Sequence, residues 1–258
     1  DAWCNRKLKD EYPFLMVDAM QIRVRRNGQV TPTSALITIG VNEDGHRKIL
    51  GVRIANSESG EAWKANFQWL KSRGLEGVEY VVSDAHEGLV DAVHQYFQGA
   101  CWQRCQTHFK RNILDKTPSK LKDELNGRVD EVLKADTPDK ARTAFRRLAN
   151  DFEDDAGRAV DCLEAGLEDA IQVLHLPDKY RRRLRTTNSC ERLIQEIRRR
   201  ERVIRIFPHD ESAWRLIGAY LAEQHEEWIT GRRYFDMTEY NEWKQSNTEQ
   251  KEYSAAAE

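Results

Sequence analysis

The stretch FLMVDAMQIRVRRNGQVTPTSALITIGVNEDGHRKILGVRI (Phe14–Ile54) decides the fold class. Apolar residues dominate or alternate in three runs within it, and the pairs Asn27-Gly28 and Asp44-Gly45 between these runs are strong signals for tight turns. Strands that follow one another through tight turns pair with their neighbours in opposite directions. The stretch therefore predicts a three-strand antiparallel meander.

The sequence after the meander changes its hydrophobic period. Trp63, Phe67 and Leu70 recur at helical spacing, and a short apolar strand follows at residues 78–84. Further segments up to about residue 117 read as helix, strand and helix in turn. Alternating helices and strands after a meander predict an α/β fold with a mixed sheet. We interpret the aromatic residues Trp63, Phe67 and Trp69 as core packing and not as platforms for stacking bases.

The domain organisation follows from a long segment without strand-like runs. Residues 118–185 show only 3.6-residue periodicity, which predicts an all-helical insertion. We therefore divide the chain into the first part of the core (residues 1–117), the helical insertion (118–185), the C-terminal helices of the core (186–235) and a polar, partly disordered tail (236–258). Pro208 separates the two C-terminal helices.

Composition narrows the class of protein. No window approaches the roughly 20 apolar residues of a transmembrane helix, and the N-terminus shows no signal peptide. The five cysteines are scattered and odd in number, so we expect a reducing cytoplasm and no disulfide framework. The net charge is only −2, but residues 179–205 hold eleven Lys and Arg against three Glu. Such a basic block favours a nucleic-acid partner.

Two carboxylates stand at unusual positions for strands. Period-two counting sets Asp18 in an apolar row with Phe14, Met16 and Met20, and Asp84 lies at the C-terminal end of a later strand, where open α/β sheets bind ligands. Burying an unpaired charge is costly, so Asp18 needs a cation or a hydrogen-bond partner. An arginine could pair with Asp18, and Asp84 could cap the next helix; both alternatives stay open here.

A third carboxylate begins an arginine-rich helix, TTNSCERLIQEIRRRERV (Thr186–Val203). Glu191 follows Asn188 by three positions, which is close to a capping box. Helical-wheel counting also sets Glu191 at the margin of the apolar face. If the helix packs beside the first strand, three carboxylates converge. The residues that we assign to the apolar face are Cys190, Leu193, Ile194, Ile197 and Ile204.

Three oxygen ligands without His or Cys suit Mg²⁺ or Mn²⁺. Two such ions would clamp the reacting oxygens of a phosphoryl transfer, and the neighbouring arginines would hold the phosphate backbone of the nucleic acid. We therefore predict two Mg²⁺ (or Mn²⁺) as cofactors and DNA as the partner. The arginines that we predict to bind DNA are Arg181, Arg182, Arg183, Arg185, Arg192, Arg198, Arg199 and Arg202.

The order of these motifs resembles the bacterial insertion-sequence transposases of the Mutator type, which have an RNase H-like catalytic core. The segments that carry the resemblance are the strand with Asp18, RGLEGVEYVVSDAHEGL (Arg73–Leu89), WQRCQTHFKRNIL and TTNSCERLIQEIRRRERVIRIFP. It runs from about Tyr12 to Phe235. The sequence departs from the family pattern at Arg23, where we expect lysine, and at Ile194, where asparagine is usual. From the resemblance we also expect that this chain does not contain the N-terminal part that recognises transposon ends in the family.

The resemblance implies an acidic DDE triad of Asp18, Asp84 and Glu191 that cleaves DNA and transfers strands. It also sets the family's Cys-x-x-His motif on Cys105 and His108, which we expect to support the site. Zinc bound by Cys101, Cys105 and His108 is disfavoured because the sequence offers no fourth ligand nearby. His86 and Asn188 complete the supporting residues that we predict, although His86 could equally lie at the surface.

Other functions remain open at this stage. The chain could be an inactive transposase-derived DNA-binding protein, or an RNase H-like nuclease that cuts without strand transfer. For the favoured function we expect transposon ends and target DNA as partners, a homodimer or higher oligomer on DNA, no contact with membranes, and a cytoplasmic location at the bacterial nucleoid.

Overall fold

A five-stranded mixed sheet forms the centre of the molecule. The computed structural model describes residues 3–255, with side chains for residues 3–247. The strands are β1 (Phe14–Arg26), β2 (Gln29–Val41), β3 (Arg47–Ala55), β4 (Tyr80–Ser83) and β5 (Cys101–Arg104). Their order across the sheet is β3-β2-β1-β4-β5. β2 pairs antiparallel with β1 and β3, whereas β4 is parallel to both β1 and β5. The predicted meander and mixed α/β class are confirmed.

Helices cover both faces of this sheet. They are α1 (Gly60–Ser72), α2 (Glu87–Tyr96), α3 (Gln106–Asp115), α4 (Lys122–Leu133), α5 (Pro138–Ala170), α6 (Asp178–Leu184), α7 (Asn188–Ile204), α8 (Asp210–Thr230) and α9 (Thr238–Ala255). Residues 118–185, all of them described, contain α4 to α6 and two short 3₁₀ helices at Ser119–Leu121 and Gln172–His175. In the described part of the chain, no helix is long and apolar enough to cross a membrane.

The two predicted tight turns both need a left-handed backbone. Asn27 and Gly28 have φ of 49° and 81°, and Arg26 pairs directly with Gln29, so β1 and β2 are joined by a two-residue turn. Gly45 has φ of 84°, and a Cβ there would lie 2.0 Å from the carbonyl oxygen of a residue in the segment before α9. Only glycine fits that position.

The alternation of side chains along β1 builds two separate cores. Met16 and Met20 pack on one face with the insertion and the helices from α7 onward. Leu15 and Val17 pack on the other face with α1 and α2. Trp63 on α1 is fully buried there, which confirms that this helix uses its aromatic residues for packing.

Two glutamines attach the insertion to the edge of the sheet. The side-chain oxygen of Gln103 on β5 accepts hydrogen bonds from the Tyr80 hydroxyl (3.0 Å) and the Val173 amide (2.6 Å). Its amide nitrogen donates to the carbonyl of Ala170 at 2.8 Å, and Gln106 donates to the same carbonyl at 2.7 Å. Gln103 is fully buried. These bonds satisfy the buried polar groups of Ala170 and Val173 in place of water. They also hold the end of α5 against β5.

Helix α7 is attached to β1 at both ends. Near its start, the Cys190 thiol donates to the carbonyl of Met16 at 3.5 Å. Beyond its end, the main chain of Phe207 donates to the carbonyl of Arg23 and accepts from the amide of Arg25, both at 2.8 Å. The direction of α7 is therefore fixed relative to the strand that carries Asp18.

Two details of the α7 prediction are wrong. Asn188 is the first helical residue, and Thr187 is the N-cap without a side-chain capping bond, so no capping box forms. The Thr187 hydroxyl instead donates to the sulfur of Cys105 at 3.4 Å. Ile204, predicted on the apolar face, is 39 % exposed and its neighbour Val203 is 87 % exposed. The last turn of α7 extends past the surface on which the rest of the helix packs.

The tail that we predicted as partly disordered (residues 236–258) is helical over most of its length. Helix α9 occupies Thr238–Ala255, and Tyr240 in its first turn is buried. The Tyr240 hydroxyl donates to Glu79 at 2.6 Å, its amide donates to the Tyr180 hydroxyl at 3.0 Å, and its ring lies 4.7 Å from that of Phe14. This aromatic cluster holds the start of the helix. Residues 256–258, also part of that prediction, lie outside the described residues.

A buried histidine on α8 makes the stability of the fold dependent on pH. The backbone amide of Ile49 donates to Nδ1 of His225 at 3.3 Å, and the Arg6 guanidinium lies 3.5 Å from the same nitrogen. Burial, followed by the charges of Arg6 and Lys48, lowers the pKa of His225 to about 4, while Asp10 opposes this change. The imidazole is therefore neutral in the folded protein at neutral pH.

We expect the contribution of His225 to the free energy of unfolding to decrease as the pH falls from about 6.5 towards 4. Between these pH values His225 is protonated in the unfolded chain but neutral in the folded chain. This difference lowers the free energy of unfolding by up to about 3 kcal/mol. Urea unfolding at pH 7.5 and pH 5, followed by tryptophan fluorescence, measures the difference. His225→Gln should remove this contribution and so raise the stability at pH 5 relative to pH 7.5, whereas the exposed control His94→Gln should not. Equal slopes in both variants would contradict the assignment.

Candidate active site

Asp18 lies in the middle of β1, in the apolar row that the alternation predicted. The backbone amide of Ala19 donates to its Oδ1 at 2.8 Å. Burial raises the pKa of Asp18 to about 7, the charge of His108 opposes this rise, and the charges of Asp84 and Glu191 add to it. The cation that faces Asp18 is thus a histidine, and the alternative of a pairing arginine is wrong.

Asp84 is the first residue after β4, next to the middle of β1. In the parallel pairing of these strands, Leu15 lies opposite Val81 and Met16 opposite Val82. Continuing that register by two residues sets Asp84 beside Asp18. The backbone amide of His86 donates to Asp84 Oδ1 at 3.2 Å, and His86 itself is the N-cap of α2. The alternative that Asp84 caps α2 is therefore wrong; it shapes the turn that leads into this helix.

Glu191 reaches the same region from the first turn of α7. The neighbouring Cys190 is fully buried against β1, which turns Glu191 towards α3. Its Oε1 lies 3.7 Å from Nε2 of His108. Within the described residues this oxygen is buried and has no hydrogen-bond partner. A buried carboxylate oxygen without a donor is a position where a cation would lower the free energy.

The charges of Asp84 and Glu191 both act on Asp18, but the oxygens of the three carboxylates do not all lie within 4.8 Å of one another. In the part of the chain that the structure describes, the group of possible metal ligands within 4.8 Å of one another is Cys105, His108 and Glu191, not the three carboxylates. Ligands of one Mg²⁺ lie within about 4.2 Å of each other because each bond is about 2.1 Å. Two ions about 4 Å apart allow a wider spread of ligands. The three carboxylates are therefore too far apart to bind one Mg²⁺ together.

Cys105 and His108 lie at the start of α3 and support Glu191. Burial opposes ionisation of the Cys105 thiol, but its interaction with His108 and hydrogen bonds from Thr187 lower the pKa. Interaction with this sulfur, and then the charges of Asp18 and Glu191, raise the pKa of His108 to about 9. A cationic His108 therefore stands between the two carboxylates and reduces their repulsion.

Zinc bound by the sequence motif alone finds no support. Cys101 is directed away from the motif and towards Gln172, with its sulfur 3.6 Å from the side-chain oxygen. Glu191 takes the third position beside Cys105 and His108 instead. Zinc needs a fourth ligand for a closed structural site, and no fourth His, Cys, Asp or Glu among the described residues lies within 4.8 Å of all three.

The remaining supporting residues differ in how close they lie to the acids. His86 contributes its backbone amide to Asp84, and its Nδ1 is buried without a hydrogen-bond partner among the described residues. Asn188 is exposed on α7 and lines a basic pocket with Ser189 and Arg192. Asn188 thus lies three residues before Glu191 on α7 and lines the neighbouring pocket.

One acidic residue near the site was missed by the sequence analysis. Glu58 lies in the loop before α1, where burial and then the charge of Asp84 raise its pKa, while the charges of His86 and His108 lower it. No periodicity marks a loop residue, so the only available signal was a carboxylate directly before the helix N-cap, Ser59.

The predicted DNA-binding arginines fall into two groups. The guanidinium of Arg181 donates to the carbonyls of Leu176 (2.6 Å) and Asp136 (2.7 Å), and Arg185 donates to the carbonyl of Arg181 at 3.3 Å. These two side chains are engaged within the protein. Arg199 pairs with Glu196 at 3.0 Å. The predicted arginines with exposed side chains are Arg182, Arg183, Arg192, Arg198, Arg199 and Arg202.

Comparisons with known proteins agree with the sequence resemblance. The model of the family described as "Transposase, Mutator family" matches residues 1–231. The transposase for insertion sequence element IS256 in transposon Tn4001 of Staphylococcus aureus is 44 % identical over 241 residues, which are 92 % of this chain and 62 % of that protein. The transposase for element ISRM5 of Rhizobium meliloti is 38 % identical over 243 residues, 94 % of this chain and 61 % of the relative.

A third relative is more distant and longer. The transposase for element IS1081 of Mycobacterium tuberculosis is 37 % identical over 226 residues, 88 % of this chain and 54 % of that protein. The chain thus spans between about half and two thirds of the length of these relatives. The family model nevertheless covers nearly the whole chain, including all three acids. The chain therefore belongs to the Mutator family of transposases.

Proposed function

We propose that this chain is an RNase H-like DDE catalytic core that cleaves and joins DNA strands of an insertion sequence. The observation that carries the proposal is the common electrostatic environment of Asp18, Asp84 and Glu191, which come from the middle of one strand, the end of a parallel strand and a distant helix. The strand order, with a meander followed by two parallel strands, supports the RNase H-like core. The names of the relatives support insertion sequences as substrates.

Asp18, Asp84 and Glu191 are the residues that would hold two Mg²⁺ (or Mn²⁺). Their donor atoms are hard oxygens, and Glu191 Oε1 lacks a hydrogen-bond partner within residues 3–247. At these residues, bound ions would supply activation of an attacking water or 3′-hydroxyl and stabilisation of the leaving oxygen.

The protein's own residues prepare the site for these ligands. His108, held beside Cys105 and charged at neutral pH because its pKa is about 9, faces both Asp18 and Glu191. This positive charge lowers the repulsion between carboxylates that burial brings together. The Thr187 amide and hydroxyl both donate to Cys105 Sγ at 3.4 Å, so the start of α7 and the start of α3 are joined directly beneath the site.

DNA would approach along the exposed arginines of α6 and α7. Such residues neutralise backbone phosphates without reading bases. Transposon ends and target DNA must both reach one acidic site during strand transfer, and we propose a homodimer or higher oligomer that brings two ends together.

Strand joining is the test that separates this function from its alternatives. The purified chain is incubated with Mg²⁺, a supercoiled plasmid and a labelled duplex that ends in a free 3′-hydroxyl. We expect nicking of the plasmid and covalently joined labelled products, both lost in EDTA. Cleavage without joining would favour a nuclease. DNA binding without either reaction would favour an inactive DNA-binding derivative.

A further inference from the structure

A basic pocket lies beside the acidic site, between α7, α6, the start of β3 and the segment after α8. It has a volume of about 690 Å³. We call it the basic pocket and define it by Arg47, Arg183, Ser189, Arg192, Tyr234 and Asp236. Lys179 and Arg182 also line it, so that five cations face a single carboxylate, that of Asp236.

Arg47 is the most constrained of these cations. Its guanidinium lies 3.5 Å from the centre of the Trp228 ring and 4.8 Å from that of Tyr234. One of its terminal nitrogens donates to Ser189 Oγ at 3.0 Å, and this hydroxyl lies 3.2 Å from the Tyr234 hydroxyl. Stacking and hydrogen bonding thus hold the guanidinium in one orientation.

The positive charge of the pocket is not balanced within the protein. Of the five cations that line the basic pocket, only Lys179 forms an ion pair with another described side chain. Its partner is Glu239, at 2.6 Å. Arg47 Nε is buried and lacks a hydrogen-bond partner within residues 3–247. Burial lowers the pKa of Arg47, and the charges of Arg183 and Arg192 lower it further. An anion in the pocket would relieve both the desolvation and the repulsion.

The arrangement favours a phosphate over a nucleobase. Two guanidinium groups already lie over the Tyr234 ring, that of Arg183 at 4.6 Å and that of Arg47 at 4.8 Å, so this ring has little free surface for stacking a base. Forked guanidinium donors match the geometry of phosphate oxygens. The first residues of α7, which also line the pocket, add the positive end of the helix dipole.

The position of the pocket ties it to the acidic site. Arg192, which lines it, directly follows Glu191 in the first turns of α7, and Ser189 precedes Glu191 by two residues. A strand whose phosphate occupies the pocket would extend along the start of α7 towards Glu191.

We propose that the basic pocket binds one defined backbone phosphate of the DNA strand that enters the acidic site. This inference rests on the proposed function and deepens it, because it assigns Arg47, Ser189 and Tyr234, from three separate elements, to a single phosphate subsite. The remaining exposed arginines of α7 would contact DNA outside this subsite.

A scan with methylphosphonates, which remove the charge of one phosphate at a time, tests the subsite. A duplex with a free 3′-hydroxyl is bound by the chain in EDTA, and its affinity is measured by fluorescence anisotropy. We expect one position at which the substitution weakens binding to the wild-type chain about tenfold, the effect of one charge-assisted hydrogen bond. The variant Arg183→Gln/Arg192→Gln should bind all duplexes more weakly and lose the extra penalty at that position.

Two further variants keep the result interpretable. Arg47→Lys retains the charge but loses the fork and should reduce the same penalty, whereas Arg147→Gln, an exposed arginine on α5, should leave it unchanged. Equal penalties in the pocket variants and in the wild type, or no DNA binding at all, would overturn the subsite.

Inorganic phosphate at constant ionic strength distinguishes the source of the anion. We expect it to compete with DNA only when Arg183 and Arg192 are present. If phosphate binding depends on these residues but DNA binding does not, a free anion is the ligand and the DNA subsite is overturned. The proposed catalytic function is judged separately by Mg²⁺-dependent joining, so the pocket can fail while that function stands.

Discussion

Asp18→Asn, Asp84→Asn and Glu191→Gln should each reduce Mg²⁺-dependent DNA cleavage by about 10³-fold or more. Each change keeps the shape of the side chain and removes one negative charge from the proposed ion site. Because the three acids would act as a unit, the double variant Asp18→Asn/Glu191→Gln should lose little more than either single variant. Nicking of a supercoiled plasmid, followed over time with and without Mg²⁺, measures these rates.

Binding and stability serve as controls for this loss. DNA affinity in EDTA should be unchanged or higher, since a repulsive carboxylate has been removed from the path of the phosphates. The free energy of unfolding of Asp18→Asn in EDTA should not decrease, because burial disfavours the charged carboxylate in the wild type and the amide carries no charge. Asp91→Asn, which changes an exposed carboxylate on α2, should cleave at the wild-type rate. Full activity in Asp84→Asn would refute the proposed triad.

Gln103→Met should lower the free energy of unfolding by about 3–5 kcal/mol. The change preserves the approximate volume of the side chain, but it leaves the Val173 amide and the Tyr80 hydroxyl without their acceptor and the Ala170 carbonyl with one donor fewer. Each buried polar group left unpaired costs about 1–3 kcal/mol. Urea unfolding followed by tryptophan fluorescence measures the loss.

Hydrogen exchange locates the effect of this substitution. Amides at the end of α5 and in the following 3₁₀ helix should exchange faster in Gln103→Met, while those of β2 should change less. Gln21→Met removes a glutamine whose amide donates to Ser34 Oγ at 2.9 Å from an exposed position, and it should cost less than about 0.5 kcal/mol. A loss below about 1 kcal/mol in Gln103→Met would show that the insertion does not depend on this residue.

The local elements of the fold could be predicted from the sequence because short-range rules determine them. Asn27 and Gly28 both adopt the left-handed backbone that their pair favours, and the alternation along β1 set Asp18 on the correct face. For the same reason the helical character of residues 118–185 was readable from periodicity alone. Hydrophobic periods of two residues in strands and 3.6 residues in helices indicate which side chains of one element are buried. The elements of this fold follow these periods.

Tertiary contacts explain the features that the sequence analysis did not predict. The capping box at Asn188 did not form, since the Thr187 hydroxyl is used by Cys105, more than 80 positions earlier in the chain. Arg47 reads as an ordinary polar residue of a strand, and its aromatic partners Trp228 and Tyr234 come from the other end of the chain. Glu58 lies in a loop, where no period indicates which way a side chain points.

Because α7 is attached to β1 at both ends, Asp18 and Glu191 are held close in space although they are far apart in the sequence. Cys190 and Phe207 contact the strand directly, so the gap between Asp18 and Glu191 is fixed without help from the roughly seventy residues of the insertion. A change in the length of that insertion need not alter the positions of Asp18 and Glu191. Relatives with very different spacings between the second and third acids could thus share one reaction centre, and sequence spacing alone would be a poor guide to their kinship.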